Sequence, residues 1–444
     1  VSLDVPLNVD GSESRMVSWV PGADASLFPV ENLPYGVFRT AGDGANGPAD
    51  GSAGPGGGAV GDARDGSPRI GAAIGDFVVD LGALAAGQRH PAEPLLSAAT
   101  LNDLLAAGPA RWREVRGWLA GLLTDPAAEN AVRPHLVARD TVEMLLPFDV
   151  ADYVDFYSSE HHATNVGRLF RPNSDPLPVN WKHLPIGYHG RSGTVAVSRH
   201  PVVRPQGQRK DPSSDTPTFG PSQRLDVEVE VGFVVGVPSE RSRPVGVADF
   251  ADHVFGVCLV NDWSARDLQS WEYVPLGPFL GKSFLTSVSP WIVPLDALRH
   301  ARVDPPPREP EPLPYLRDAP GDPWGLDIEL ELAINGTVVS RPPFRSMYWT
   351  PAQQLAHLTC NGASLRTGDL FASGTVSGPE PGQRGSLLEL SWGGADPVWL
   401  ADGTSRTFLA DGDEATIRAW APGPGGIRLG LGEVRGRVEP ARGH

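Results

Sequence analysis

The spacing of apolar positions changes period several times along the chain, and each change predicts an element. Ile70 to Leu84 carries short apolar runs on either side of Gly75-Asp76, which predicts a β-hairpin in a small N-terminal β-domain. From Pro109 to Leu123 the period lengthens. Trp112, Val115, Leu119 and Leu122 recur at three or four residues, the mark of an amphipathic helix, and Asp125-Pro126 ends it. The run Met144-Leu145-Leu146 before Pro147 marks the passage into a second domain, dividing the chain into 1–146 and 147–444.

Beyond Asp149, valine-rich stretches predict strands at Val195 to Val197, Val227 to Val237 and Val254 to Val260. Ile328 to Val339 turns at Asn335-Gly336 and predicts a second hairpin, and Tyr348 to Thr359 predicts a late helix. Pro305 to Pro314 is too proline-rich for a regular element. Gly42 to Gly71, dominated by Gly, Ala, Asp, Pro and Ser, has almost nothing to bury and predicts a mobile insert.

Composition adds exclusions. Fifty-two glycines and 45 prolines in 444 residues imply many turns, and a net charge of −16 argues against a nucleic-acid or acidic-lipid surface. No apolar run reaches 18 residues and no basic-then-apolar leader opens the chain, so neither a membrane span nor a signal peptide is expected, and a cytoplasmic setting is. Cys258 and Cys360 sit among apolar residues outside any metal or redox motif and read as buried, reduced thiols.

Four segments carry candidate chemistry. In LDVEVEVGF, strand alternation puts Asp226, Glu228 and Glu230 on one side and the valines on the other; the acids face either solvent or a divalent cation that offsets their repulsion. In NDWSARDLQSWEY, Asp262 can cap a helix whose one face would gather Asp262, Arg266, Gln269 and Tyr273 within about 60°. That face is either solvated or a site for an anion or carbonyl. DYVDFYSSEHHATNVGRLFR puts Asp155 and Tyr157 on one strand face, with Tyr153 as packing, and offers His161 and His162 as alternatives for a base held by a carboxylate. A proline- and glycine-bounded loop precedes Lys282, a charge that is either solvated or set against a developing oxyanion.

These segments, with NWKHLPIGYHGR, MYWTPAQQLAHLTCNG and ASGTVSGPEPGQRGSLLELSW, resemble the fumarylacetoacetase family. The resemblance implies a mainly β protein: an N-terminal SH3-like barrel, a C-terminal mixed β-sandwich roll and a homodimer. It implies hydrolysis of a carbon–carbon bond in the dicarboxylic diketo acid 4-fumarylacetoacetate to fumarate and acetoacetate, the last step of tyrosine breakdown. It assigns Asp155, Glu228, Glu230 and Asp262 to a Mg²⁺ or Ca²⁺ ion, with Asp226 a neighbour. It makes His162 the general base, oriented by Glu389, and leaves His161 structural. Arg266, Gln269 and Lys282 match groups around the oxyanion. Tyr157, Arg171, Tyr188, Tyr273 and Thr375, together with Arg266 and Gln269, match substrate-facing positions. Lys282, Gly281 and Thr286 match a second cation site. Two further readings are a hydrolase of another acylpyruvate or β-diketo acid and a metal-stabilised scaffold without turnover; a nucleic-acid module lacks any basic footprint.

Overall fold

The computed structural model describes residues 15–40, 66–211 and 213–443. Most of the insert expected at 42–71 lies outside them, but its end is corrected: Arg69–Ile74 is a strand, because Ile70, Ala72 and Ile74 are buried in the N-terminal core. It pairs with Phe77–Asp80 as the expected hairpin, turning at Gly75, whose φ of +56° a residue without Cβ adopts cheaply. Five antiparallel strands follow one another in the order Leu136–Ala138, Phe77–Asp80, Arg69–Ile74, Tyr35–Thr40 and Val142–Leu145, forming an open half-barrel. The Gly108–Thr124 helix buries Val115, Leu119 and Leu123 in the same core and ends at Asp125.

An eight-stranded mixed sheet forms the centre. Its main path runs Gly187–His189, Asp152–Phe156, Asp369–Ala372, Val229–Val235, Val254–Asp262, Thr286–Val288 and Val195–Val197. Both faces are covered. Val234, Phe255, Cys258 and Val260 pack with the N-terminal core, whereas Val231, Phe233, Val257 and Leu259 pack with Leu330, Ile417 and Val434 of a third, five-stranded sheet. Burial on two sides explains why these strands read as nearly unbroken apolar runs.

The third sheet includes the second expected hairpin, Glu329–Ile334 with Thr337–Ser340. The late helix is Pro351–Thr359; Thr350 caps it in a reciprocal pair with Gln353, and Pro351 at its first position needs no amide partner.

Several expectations are corrected. Among the described residues helix, with its 3₁₀ turns, accounts for 28% and strand for 29%, so the protein is two open half-barrel sheets with a near-equal helical share rather than clearly mainly β: helices cover the N-terminal sheet, and proline-rich connections form short helical turns. Asp262 does not cap a helix. Strand Val254–Asp262 runs through that residue, which pairs with Thr286, and the helix begins only at Arg266 and ends at Glu272. Cys258 is buried, but Cys360, just past the Pro351–Thr359 helix, is exposed. Among the described residues, no helix is long and apolar enough to cross a membrane.

Candidate active site

Three strands of the central sheet gather the acids. Asp155 lies near the end of Asp152–Phe156, Glu230 is second in Val229–Val235, Glu228 immediately precedes that strand, and Asp262 ends Val254–Asp262. One oxygen from each of the four lies within 4.8 Å of the others, and all four residues are buried. The solvent-facing alternative for Asp226, Glu228 and Glu230 is therefore overturned, because the strand before and after Glu228 is enclosed on both sides.

The donor set fits a divalent cation. Asp155 Oδ1 and Glu230 Oε1 are buried and accept no hydrogen bond. Burial first, then repulsion from the neighbouring acids, pushes both carboxyls well above their ordinary range. Buried acceptors without donors are costly, and converging carboxylate oxygens are what Mg²⁺ and Ca²⁺ take. Glu228 behaves oppositely: burial works to raise it, but Arg266, Lys282 and His162 outweigh that and hold it well below.

Two cations of the chain sit against the cage. Lys282 Nζ donates to Glu228 and, at 2.7 Å, to Asp262 Oδ2. Arg266 bonds Glu228 Oε1 through Nη2 at 2.8 Å and Gln269 Oε1 through Nη1 at 3.3 Å. Burial would weaken the charge on each; the carboxylates they meet more than compensate and raise both.

His162 occupies the first turn of the Glu160–Phe170 helix, which Ser159 caps by accepting from the His162 backbone N–H at 3.2 Å. Its Nδ1 lies 2.7 Å from Glu389 Oε2, and its Nε2 lies 3.8 Å from Glu228 Oε1 of the cage. Glu389 also accepts from Asn165 Nδ2 (3.0 Å), Ser377 Oγ (3.0 Å to each oxygen) and Ser386 Oγ (2.8 Å). Burial alone would raise its carboxyl; the charge of His162 and these hydrogen bonds hold it below the ordinary value. A carboxylate so held keeps a proton on Nδ1 and leaves Nε2 facing the cage as an acceptor.

The other expected positions are distributed around this centre. Tyr157 lies just past its strand rather than within it, with its ring edge-on to His162 at 5.3 Å between centroids. Burial, reinforced by Glu389 and Glu228, raises its phenol and keeps it a neutral donor. Tyr188 donates to Asp262 Oδ2 at 2.9 Å, and Arg171 donates to the Pro176 carbonyl at 2.7 Å. Thr375 is buried, Tyr273 is 42% exposed at the end of the Arg266–Glu272 helix, and His161 is half-buried. Thr286 donates to Asp262 Oδ1 at 3.0 Å, and with Lys282 it lines a cavity of about 150 Å³ in which Asp262 is the sole carboxylate. Tyr153, assigned to packing, also lines this cavity, and its buried hydroxyl has no partner. Gly281 donates its backbone N–H to Glu272 Oε1 at 2.6 Å.

Sequence reading missed Asn165, Ser377 and Ser386, because small polar side chains are common everywhere. A signal existed for two. Asn165 follows His162 by three residues on the same helix face, and Ser386 with Glu389 has the serine-x-x-glutamate spacing of a helix start.

A cage of buried carboxylates beside a carboxylate-oriented imidazole defines the class of metal-assisted hydrolytic centres. Residues 152–439 match the family described as "Fumarylacetoacetate (FAA) hydrolase C-terminal", and 58–147 match "Fumarylacetoacetase N-terminal". Over 440 residues the chain is 43% identical to the fumarylacetoacetase of Homo sapiens, covering 96% of this chain and 99% of that one. It is 44% identical to that of Caenorhabditis elegans over 442 residues, covering 96% and 100%. The chain belongs to the fumarylacetoacetase family. In fold it is similar to the fumarylacetoacetate hydrolase of psychrophilic Exiguobacterium antarcticum, with a TM-score of 0.52 at 16% identity over 92% of this chain and 100% of that one.

Proposed function

We propose that this protein hydrolyses 4-fumarylacetoacetate to fumarate and acetoacetate at the His162 centre, with Mg²⁺ or Ca²⁺ in the carboxylate cage. The observation that carries the reading is the position of His162, 2.7 Å from Glu389 on one ring nitrogen and 3.8 Å from cage residue Glu228 on the other. When bound by Asp155, Glu228, Glu230 and Asp262, the divalent ion supplies Lewis-acid polarisation of the diketone oxygens.

The residues of the chain do the rest. His162 Nε2 takes a proton from water, whose oxygen adds to the carbonyl carbon next to the double bond; Glu389 stabilises the imidazolium. Arg266, Gln269 and Lys282 face the negative charge that grows on the former carbonyl oxygen. That tetrahedral adduct collapses, the carbon–carbon bond breaks, and its electron pair leaves with acetoacetate as an enolate, which receives the proton from His162. Tyr157, Arg171, Tyr188, Tyr273 and Thr375 are assigned to the substrate's oxygens and carboxylates by neutral and charge-assisted hydrogen bonds.

The same reading takes the first 146 residues as an SH3-like domain, the remainder as a β-roll, and the Lys282–Thr286 cavity as a second cation site. It also takes the working form as a homodimer, supported by the exposed apolar run Trp271, Val274, Leu276, Phe279 and Leu280. The test is acetoacetate release from fumarylacetoacetate by metal-depleted protein before and after Mg²⁺ is restored, beside a panel of short acylpyruvates. Metal-dependent release that favours fumarylacetoacetate is expected; equal or reversed specificity constants would overturn the substrate assignment.

A further inference from the structure

Asp226 is the carboxylate beside the cage that this mechanism leaves without a task. It is fully buried, and its contacts run to two separate parts of the site. Oδ1 accepts from the backbone N–H groups of Val227 and Leu387, each at 2.8 Å. Oδ2 accepts from the Leu388 backbone N–H at 3.1 Å and from Arg266 Nε at 2.8 Å. Leu387 and Leu388 open the short helix that carries Glu389, so one end of this network anchors the partner of His162. The other end passes through Arg266 to Gln269, whose side-chain oxygen accepts from Arg266 Nη1. An amide with its oxygen engaged in this way turns its NH₂ to the opposite side.

Charge balance does not explain the arrangement. Arg266 already has Glu228 as a counter-ion, and a fully buried second carboxylate costs free energy unless its acceptor sites are filled. Apart from the Val227 amide, the contacts of Asp226 go to Arg266 and to the start of the helix that carries Glu389.

We propose that Asp226 is a positioning residue that locks the base side and the oxyanion side of the site into one geometry. Through Arg266 it sets the Gln269 amide with its NH₂ toward the reacting carbonyl, and through the 387–388 amides it holds Glu389 against His162. This rests on the assignment of His162 and Glu389 as the base pair and Gln269 as an oxyanion donor.

Asp226→Asn retains an acceptor for the Leu387 amide but cannot accept from Arg266 and the Leu388 amide as the carboxylate does. Its kcat for fumarylacetoacetate is expected to fall by about 100-fold, the scale of a lost oxyanion donor, with KM within about threefold of wild type. In a double-mutant cycle with Gln269→Glu, the combined loss is expected to exceed that of Gln269→Glu alone by the base-side share but to fall well short of the product of the two single losses, because both changes disturb the same oxyanion amide. Multiplicative losses, or a D226N kcat within twofold of wild type, would overturn the role. Should D226N fail to fold, Asp226→Glu takes its place: it keeps the charge but, one methylene longer, cannot hold the Val227, Leu387 and Leu388 amides and Arg266 together, so a fall in kcat with KM held supports the proposal and unchanged kcat overturns it. Wild-type protein without turnover would instead remove the functional reading beneath it.

Discussion

Asn165 donates its side-chain amide to Glu389 Oε1 at 3.0 Å, while the other oxygen of the same carboxylate lies 2.7 Å from His162 Nδ1. Asn165 and His162 share one helix face, so a single helix holds both ends of Glu389. His162→Ala is expected to lower kcat by about 10²- to 10⁴-fold, the range for loss of a general base. Asn165→Ala, which leaves the imidazole in place, should lose much less. Equilibrium dialysis with Mn²⁺ should find the divalent affinity of both variants close to wild type; an H162A enzyme with normal kcat contradicts the assigned base.

The cage should couple cation binding to stability. Adding Mg²⁺ to a hundredfold excess over its Kd stabilises the folded protein by about 2.7 kcal/mol, visible as a rise in Tm that a chelator reverses. Glu230→Ala removes one of the four converging carboxylates and should abolish most of that rise and most activity together. A full Mg²⁺-dependent Tm rise in the variant would show that the ion binds elsewhere.

Acid stability should depend on Asp413, far from the site in the chain. Its carboxylate takes Arg406 Nε at 2.7 Å and Nη2 at 2.8 Å, Asn335 Nδ2 at 2.8 Å and the Ala410 N–H at 2.7 Å. Burial works to raise Asp413, but these donors outweigh it and hold its carboxyl below the ordinary value. The folded state therefore favours the ionised form. Its contribution is complete above the unfolded carboxylate pKa of about 3.9 and is lost as pH falls through the lower folded value. Asp413→Asn should cost about 2 kcal/mol at pH 7. The gap between variant and wild type in urea titrations should shrink toward pH 3; a gap independent of pH contradicts the linkage.

The apolar run at the end of the Arg266–Glu272 helix bears on assembly. Leu276 is 96% exposed and Phe279 64% exposed, so neither supports the folded chain from inside. The double change Leu276→Asp with Phe279→Ser is expected to convert a dimer to a monomer by sedimentation velocity without lowering Tm in the monomer. A dimeric wild type whose sedimentation coefficient the double change leaves unaltered would place the interface on another surface, and a monomeric wild type would overturn the homodimer.

Local pattern was legible where one element's own chemistry decides its form. Gly75-Asp76 and Asn335-Gly336 turn their hairpins, and Trp112, Val115 and Leu119 mark the Gly108–Thr124 helix. Asp262 was misread because an acid between a strand and a helical pattern is equally placed to end the one or to cap the other. Alternation put Asp226, Glu228 and Glu230 on one side, yet their burial depends on sheets contributed by distant residues. The spatial grouping of Asp155 with Glu228, Glu230 and Asp262 was legible through family likeness, since no periodicity links segments so far apart. Ser377 and Ser386 were invisible for a related reason: a serine hydroxyl matters here only because Glu389 lies beside it.

The order of strands in the central sheet gives the site a schedule during synthesis. Asp369–Ala372 sits between Asp152–Phe156 and Val229–Val235, so the backbone bearing Asp155 meets the backbone bearing Glu230 only through a strand made much later. A nascent chain that stops short of that strand already contains every acid of the cage, but it lacks the wedge that sets Asp155 beside the other three, whose strands Val229–Val235 and Val254–Asp262 pair directly. The electrostatic conflict of Asp155 with the other three is thus deferred until that strand is made.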